Sequence, residues 1–214
     1  MAGEGGEATE RAGRILEAAD ALFCARGYDG VSVRDVAQAA GVNKALVFYH
    51  YESKQRLFER VLAGYYEAHA RVLRDSLAAP DLGAGDGSPE DRRARLHELV
   101  SAYFDFMCDH HRYARLIQQE VARQGEHLEL IRENLAQLFR ASEQALAALL
   151  PTAGPLAPKH FFLSLSAMTI NYFTYAPALG EVWGTDPLGE EARGERRAHL
   201  RWVVDALLDA LEAE

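Results

Sequence analysis

Residues Ser32 to Lys54, SVRDVAQAAGVNKALVFYHYESK, leave this chain little freedom in how it can fold. Ser32 offers the side-chain oxygen that satisfies an orphan amide at a helix start, and Val33, Val36, Ala37 and Ala40 follow at helical spacing on one face. Gly41 can take the left-handed conformation that ends a helix tightly. Val42 then tucks an apolar side chain back, and Asn43 caps a second helix, Lys44 to Tyr49. Two short helices joined by a glycine turn make a helix-turn-helix, here over about residues 32–51. Ser53 caps a further helix whose first residue, Lys54, sets a cation at the positive end of the helix dipole. That placement is unfavourable within the helix and points to an anion outside it.

The side chains of the second helix suit DNA. Ala45 and Val47 are small enough for close backbone approach, Asn43 and Lys44 reach base edges or phosphates, and Phe48 and Ala45 match thymine methyls. Tyr49, His50 and Lys54 are placed to hold phosphate oxygens, and Ser32 and Arg34 complete the candidate set. A helical hairpin inside an ordinary core is the plain alternative. Against it, Lys44, Tyr49, His50 and Lys54 are too polar to be buried together without partners.

The run Gly41-Val42-x-Lys44-x-Leu46-x-Phe48-Tyr49-His50-Tyr51-x-Ser53-Lys54-x-x-Leu57, after Ser32-Val33-x-x-Val36-Ala37, resembles the DNA-binding domain of the TetR family of transcriptional regulators. Upstream, Ile15-Leu16-x-Ala18-Ala19-x-x-Leu22-Phe23 and Gly27-Tyr28-x-Gly30 resemble that family's first helix and the turn after it, so the likeness covers roughly residues 9 to 68. Two positions depart from the commonest pattern. Phe48 stands where tyrosine is frequent and lacks a hydroxyl for phosphate, and Tyr51 stands where phenylalanine is usual. The resemblance implies dimerisation through a four-helix bundle of the last two helices. It also implies a small effector bound between C-terminal helices, which moves the fourth helix and releases DNA.

The net charge of −9 argues against general affinity for nucleic acid. Residues 1–54 hold six basic side chains (Arg11, Arg14, Arg26, Arg34, Lys44, Lys54) and eight acidic ones, so even the candidate DNA-binding segment is not basic overall. Placement supports the reading instead, with Arg34, Lys44 and Lys54 on or beside the helix-turn-helix. An acidic body repels DNA at long range, so nonspecific binding is expected to be weak and docking exacting. The acidic, polar start MAGEGGEATE is unlike a signal peptide. The most apolar run, near Phe161 to Ile170, is broken by Ser164, Ser166 and Thr169, which predicts a cytoplasmic protein with no membrane span. Cys24 and Cys108 fall on separate helices and predict no disulfide framework.

The expected fold is all-α: an N-terminal three-helix helix-turn-helix domain, residues 9–69, and a C-terminal helical effector-binding and dimerisation domain, residues 70–214. Residues 1–8 are expected to be a disordered tail, helix 1 to start at Thr9 or Glu10, and residues 79–90 to be a linker. Its Gly83-x-Gly85-x-Gly87 follows no strand and lacks the lysine of a phosphate loop. Helix 4 runs from Lys54 past what the small domain needs. Further helices are expected at about Pro89–Asp109, Tyr113–Arg123, Glu126–Leu150 and Lys159–Tyr175, with Pro177, Gly180, Gly184 and Pro187 as a break before the last. The helix near Lys159–Tyr175 is apolar nearly all round. Together with Leu200, Val203, Val204, Leu207, Leu208 and Leu211 at three-four spacing it suggests a self-complementary face and a C2 homodimer.

Tyr103, Phe104, Met107, Tyr113, Phe139, Phe162, Met168, Tyr172, Phe173 and Tyr175 are candidates to line a pocket for a hydrophobic or aromatic effector, with Asn171, His110 and Gln118 as polar anchors; ordinary core is the competing reading. Asn171, on an apolar helix, stands out because a buried amide needs partners. There is no Gly-x-Ser-x-Gly elbow, Walker lysine or Cys-x-x-Cys, and His97-Glu98 lacks a second histidine, so neither catalysis, cofactor nor metal is expected. Adjacent His110 and His111 diverge by about 100° on a helix and make a poor chelate. The expected function is a ligand-responsive regulator, most simply a repressor that binds a palindromic operator as a dimer. A helical small-molecule-binding protein or enzyme with an unused helix-turn-helix stays open beside it.

Overall fold

A computed structural model describes residues 3–77 and 87–212, which form nine α-helices and no strand. In chain order these are α1 (Gly3–Arg26), α2 (Val33–Ala39), α3 (Lys44–Tyr51), α4 (Lys54–Leu77), α5 (Pro89–Asp109), α6 (His111–Arg123), α7 (Leu128–Leu146), α8 (Pro158–Trp183) and α9 (Glu190–Glu212). The fold is all-α, as expected. Two compact units divide it: Met1–Tyr66 with Arg115–Asn134, and Glu67–Ala114 with Leu135–Glu214. The first unit thus takes in residues 115–134, which a contiguous division at residue 69 leaves out.

In the first unit α1 starts at Gly3, several residues before Thr9, so residues 3–8 are helical where a disordered tail was expected. Glu7 pairs with Arg11 one turn on, at 3.0 Å and in the favourable acid-first order, which supports that early turn. Ile15, Ala19 and Phe23 of α1 are buried with Val36 and Ala37 of α2, Val47 of α3, and Leu57, Phe58, Val61 and Leu62 of α4. Gly41 has φ +65°, and the Val42 and Gly41 amides return to Ala37 O at 2.9 Å and Gln38 O at 3.2 Å, so the α2–α3 turn requires its glycine. Residues 115–134 belong here because Arg123 bonds Asp29 at 3.0 Å and His127 packs on Tyr28 and Phe58, ring centres 4.2 and 4.6 Å away. Long-range packing of that kind leaves no local sequence signal.

In the second unit α5 packs on α8 and α9 around Leu96, Val100, Phe104, Met107, Phe161, Leu165, Leu200, Val204 and Leu208. Arg93 ties α5 to α9 through Asp205 at 2.8 Å and Asp209 at 2.7 Å. Ser88 caps α5 by accepting the Asp91 amide at 3.1 Å; most of the expected 79–90 linker, residues 79–86, lies outside the described residues. The expected break at Pro177 is not there. Helix α8 continues through Pro177 and Gly180 and ends at Gly184, whose φ of +67° caps it. Proline removes one amide from the ladder but its φ is helical. Beyond it Pro187 folds back over Gly180, where a Cβ would meet the ring at 3.4 Å, and the Tyr172 hydroxyl donates to Pro187 O. These contacts hold the last turns in place. Among the described residues no helix is long and apolar enough to cross a membrane.

Candidate nucleic-acid interface

Local capping sets the orientation of α2 and α3. The Ser32 oxygen accepts the Asp35 amide at 3.2 Å, while the Asp35 carboxylate accepts the Ser32 amide at 2.8 Å and its hydroxyl at 2.6 Å. Those bonds from the Ser32 side chain and backbone hold the Asp35 carboxyl below its usual range. The Ser32 hydroxyl proton is therefore engaged within the capping box. Asn43 accepts the Leu46 amide at 2.8 Å and starts α3.

Helix α3 has one inward and one outward face. Val47 is buried, which corrects the expectation that it lets DNA approach; Leu46 is half-buried. Outward lie Asn43, Lys44, Ala45, Phe48 and Tyr49, the last 79 % exposed, with Lys44 Nζ 5.4 Å above the Phe48 ring. Positions 44, 45, 48 and 49 form one contiguous strip of a helix. His50 is half-buried with its ring edge-on to Tyr49 at 5.1 Å, and Arg34 is exposed on α2. The helix is pinned from beneath. Tyr51, half-buried, donates its hydroxyl to Ala12 O of α1 at 2.8 Å, a bond that the more usual phenylalanine would lack. Burial pushes the Tyr51 hydroxyl above its ordinary pKa.

The join to α4 is short and bent. Ser53 N–H reaches Tyr51 O at 2.5 Å across Glu52, at φ +59° and ψ −47°, which makes Glu52 the centre of the strained form of γ-turn. Ser53 then caps α4, accepting the Arg56 amide at 3.1 Å. Lys54 is half-buried with its ammonium 3.9 Å from the centre of the Tyr28 ring. The cation that suggested an outside anion thus already has an aromatic face as a partner. Tyr28 was legible in sequence only as part of the turn after α1, and His127 not at all, because the turn before α2 and the start of α7 meet only in the folded unit.

The residues named for an effector do not form one site. Of these, Tyr103 and Phe162 border the small cavity of the second unit, about 30 Å³, and Phe104, Met107, Tyr113, Phe139, Met168, Asn171, Tyr172 and Tyr175 do not. Phe104, Met107, Tyr113, Tyr172 and Phe173 are core; Phe139 is half-buried, edge-on to Phe162 at 4.7 Å; Met168 is half-buried and lends its carbonyl to Arg196. Asn171 and Tyr175 are exposed, so Asn171 is not the buried amide expected. Its position on α8 turns outward while Tyr172 and Phe173 take the core. His110 and His111 each direct Nδ1 at a carbonyl of the preceding turn, Phe106 O at 2.9 Å and Cys108 O at 3.1 Å. Cys24 is buried, Cys108 half-buried, and neither is in a disulfide.

Two family models match the chain: "Bacterial regulatory proteins, tetR family" over residues 15–61, and "Tetracyclin repressor-like, C-terminal domain" over residues 93–204. The chain belongs to the TetR family. The first matched span encloses α2 and α3, and the second covers more than half of the chain and every helix from α6 to α8. Among TetR-family relatives, it is 25 % identical to a probable helix-turn-helix-type transcriptional regulator, YttP, of Bacillus subtilis, over 81 % of this chain and 82 % of that protein. It is 31 % identical to the transcriptional repressor KstR2 of Mycobacterium tuberculosis over 55 % of this chain and 54 % of that one, so the sequence match spans about half of that relative. The solved structure of KstR2, named there a ketosteroid transcriptional regulator, superimposes with a TM-score of 0.63 over 94 % of both chains at 20 % identity. A third relative, 33 % identical over 46 % of this chain and 41 % of its own, is the transcriptional activator FasR of Mycolicibacterium smegmatis. The protein is a TetR-family DNA-binding transcriptional regulator.

Proposed function

We propose that this regulator is a repressor that binds a near-palindromic operator as a homodimer and is released by a small apolar effector. The outward strip of α3 carries the reading: a capped, pinned helix that leaves Lys44, Ala45, Phe48 and Tyr49 in solvent has the form a major groove accepts. Lys44 and Asn43 would read base edges, Phe48 and Ala45 would meet thymine methyls, and Tyr49, His50, Arg34 and Lys54 would hold phosphates. Ser32 would reach a phosphate by turning its hydroxyl proton from Asp35 to the same backbone. Exposed apolar side chains on α8 and α9, among them Val182, Trp183 and Trp202, support self-association through these helices. A C2 pair would set two copies of α3 about 34 to 36 Å apart, one DNA turn.

Selection of fragments from a random DNA pool at about 0.1 M salt, where screening leaves mostly short-range contacts, tests this. A near-palindrome enriched by the protein and not by Tyr49→Ala is expected. Failure of a folded dimer to enrich any sequence would overturn the operator reading.

A further inference from the structure

His69, on α4 in the second unit, is buried, and among the described residues no charge or hydrogen bond meets its ring nitrogens. Tyr103 stacks on its ring at 4.7 Å between centroids and 15° between planes; Phe106 and Phe162 lie nearly parallel at 5.4 and 6.3 Å. Phenylalanine would serve such a stack equally well. What imidazole adds is a donor and an acceptor at the wall of the cavity bordered by Tyr103, Ser166, Phe162 and Leu165.

That cavity, about 30 Å³, holds a water or two and not an organic molecule, which needs several hundred. Phe106 is placed to open it. Its ring stacks on His69 within and on His110 at 4.4 Å, and it also borders a groove of about 650 Å³ along α4 and α5. The groove carries Asp75, Glu98, Asp105 and Asp109 against Arg71, Asp105 being paired with Arg197. Among the described residues no lysine, arginine or carboxylate lines the inner cavity. Burial also pushes His69 down to about 4, so the ring is neutral at pH 7. An anion would cross a negative groove to reach a chamber with no cation to receive it.

We propose that this cavity is a binding site for an uncharged, flat apolar molecule bearing one hydroxyl group, which displaces the Phe106 ring, enters the aromatic stack and hydrogen-bonds to His69. The site gives the proposed effector a charge class and a polar anchor, and rests on the effector reading only for its link to DNA release. Equilibrium dialysis of the full chain, without DNA, against naphthalene, 2-naphthol and 2-naphthoate at pH 7 tests it. The naphthol should bind about tenfold tighter than naphthalene, the worth of one buried hydrogen bond, and about tenfold or more tighter than the carboxylate. His69→Phe should bring naphthol down to the level of naphthalene and leave naphthalene unchanged. Naphthoate binding as well as naphthol, no naphthol binding, or an unaltered naphthol-to-naphthalene ratio in folded His69→Phe would each overturn the proposal. Should that variant not fold, the three probes on the wild type decide alone. Naphthol that binds at His69 without weakening operator affinity would overturn effector release and leave the site standing.

Discussion

Lys54 opens α4 with its ammonium against the Tyr28 ring, so a charge that the helix dipole disfavours is received by an aromatic face from twenty-six positions earlier, 54 less 28. The lysine was legible as an anomaly in the sequence; its partner was not, because nothing local links the two. His69 shows the same limit in the second unit, a histidine whose meaning lies in rings contributed by α5 and α8. Its titration is open to measurement. The buried ring resists protonation down to about pH 4, whereas in the unfolded chain it accepts a proton near 6.5, so below pH 6.5 the unfolded state binds more protons and stability falls. Between pH 7 and pH 5 this residue should cost about 2 kcal/mol. Urea midpoints at the two pH values, compared with His69→Phe, should show a smaller acid loss in the variant; equal losses would refute the assignment.

Helices α2 and α3 could be read almost residue by residue, since Ser32, Gly41 and Asn43 act on amides within a turn of themselves. The outward strip of α3 followed from its spacing, except that Val47 points inward where small size alone had suggested a DNA contact. Helix α8 was less legible. Whether a helix survives Pro177 depends on what holds the turns beyond it, here Tyr172 and Pro187, and no propensity carries that information. Tyr51 joins α3 to α1 through a single bond to Ala12 O. Tyr51→Phe should lower stability by about 1 kcal/mol, the usual net worth of such a bond, read as a shift of the urea midpoint at unchanged slope. An unchanged midpoint would mean that water replaces the hydroxyl and that the tie does not hold α3.

At the scale of the whole molecule the charge of −9 and the exposed apolar residues of α8 and α9 work on different partners. The first should keep nonspecific DNA contact weak, so the proposed reading of bases would fall on the few outward side chains of α3. The second supports the proposed pairing with a second copy of the chain. Val182→Glu or Trp202→Glu would put a charge on the proposed dimer face; sedimentation should show a shift to monomer, with operator affinity falling in parallel because half-sites are no longer joined. A dimer that survives both changes would place the interface elsewhere. Only Glu52 and Ser53 separate α3 from α4, and a hydrogen-bonded γ-turn fills that gap. Such a join has almost no play. Helix α3 is about 12 Å long, so tilting it by about 10° with the start of α4 swings its far end by about 2 Å. That exceeds the tolerance of a hydrogen bond to a base edge. Helix α3 is thus geared to α4 like a tooth cut into a shaft, and on the proposed docking a rotation too slight to disturb either core would be enough to lift it out of register with the groove.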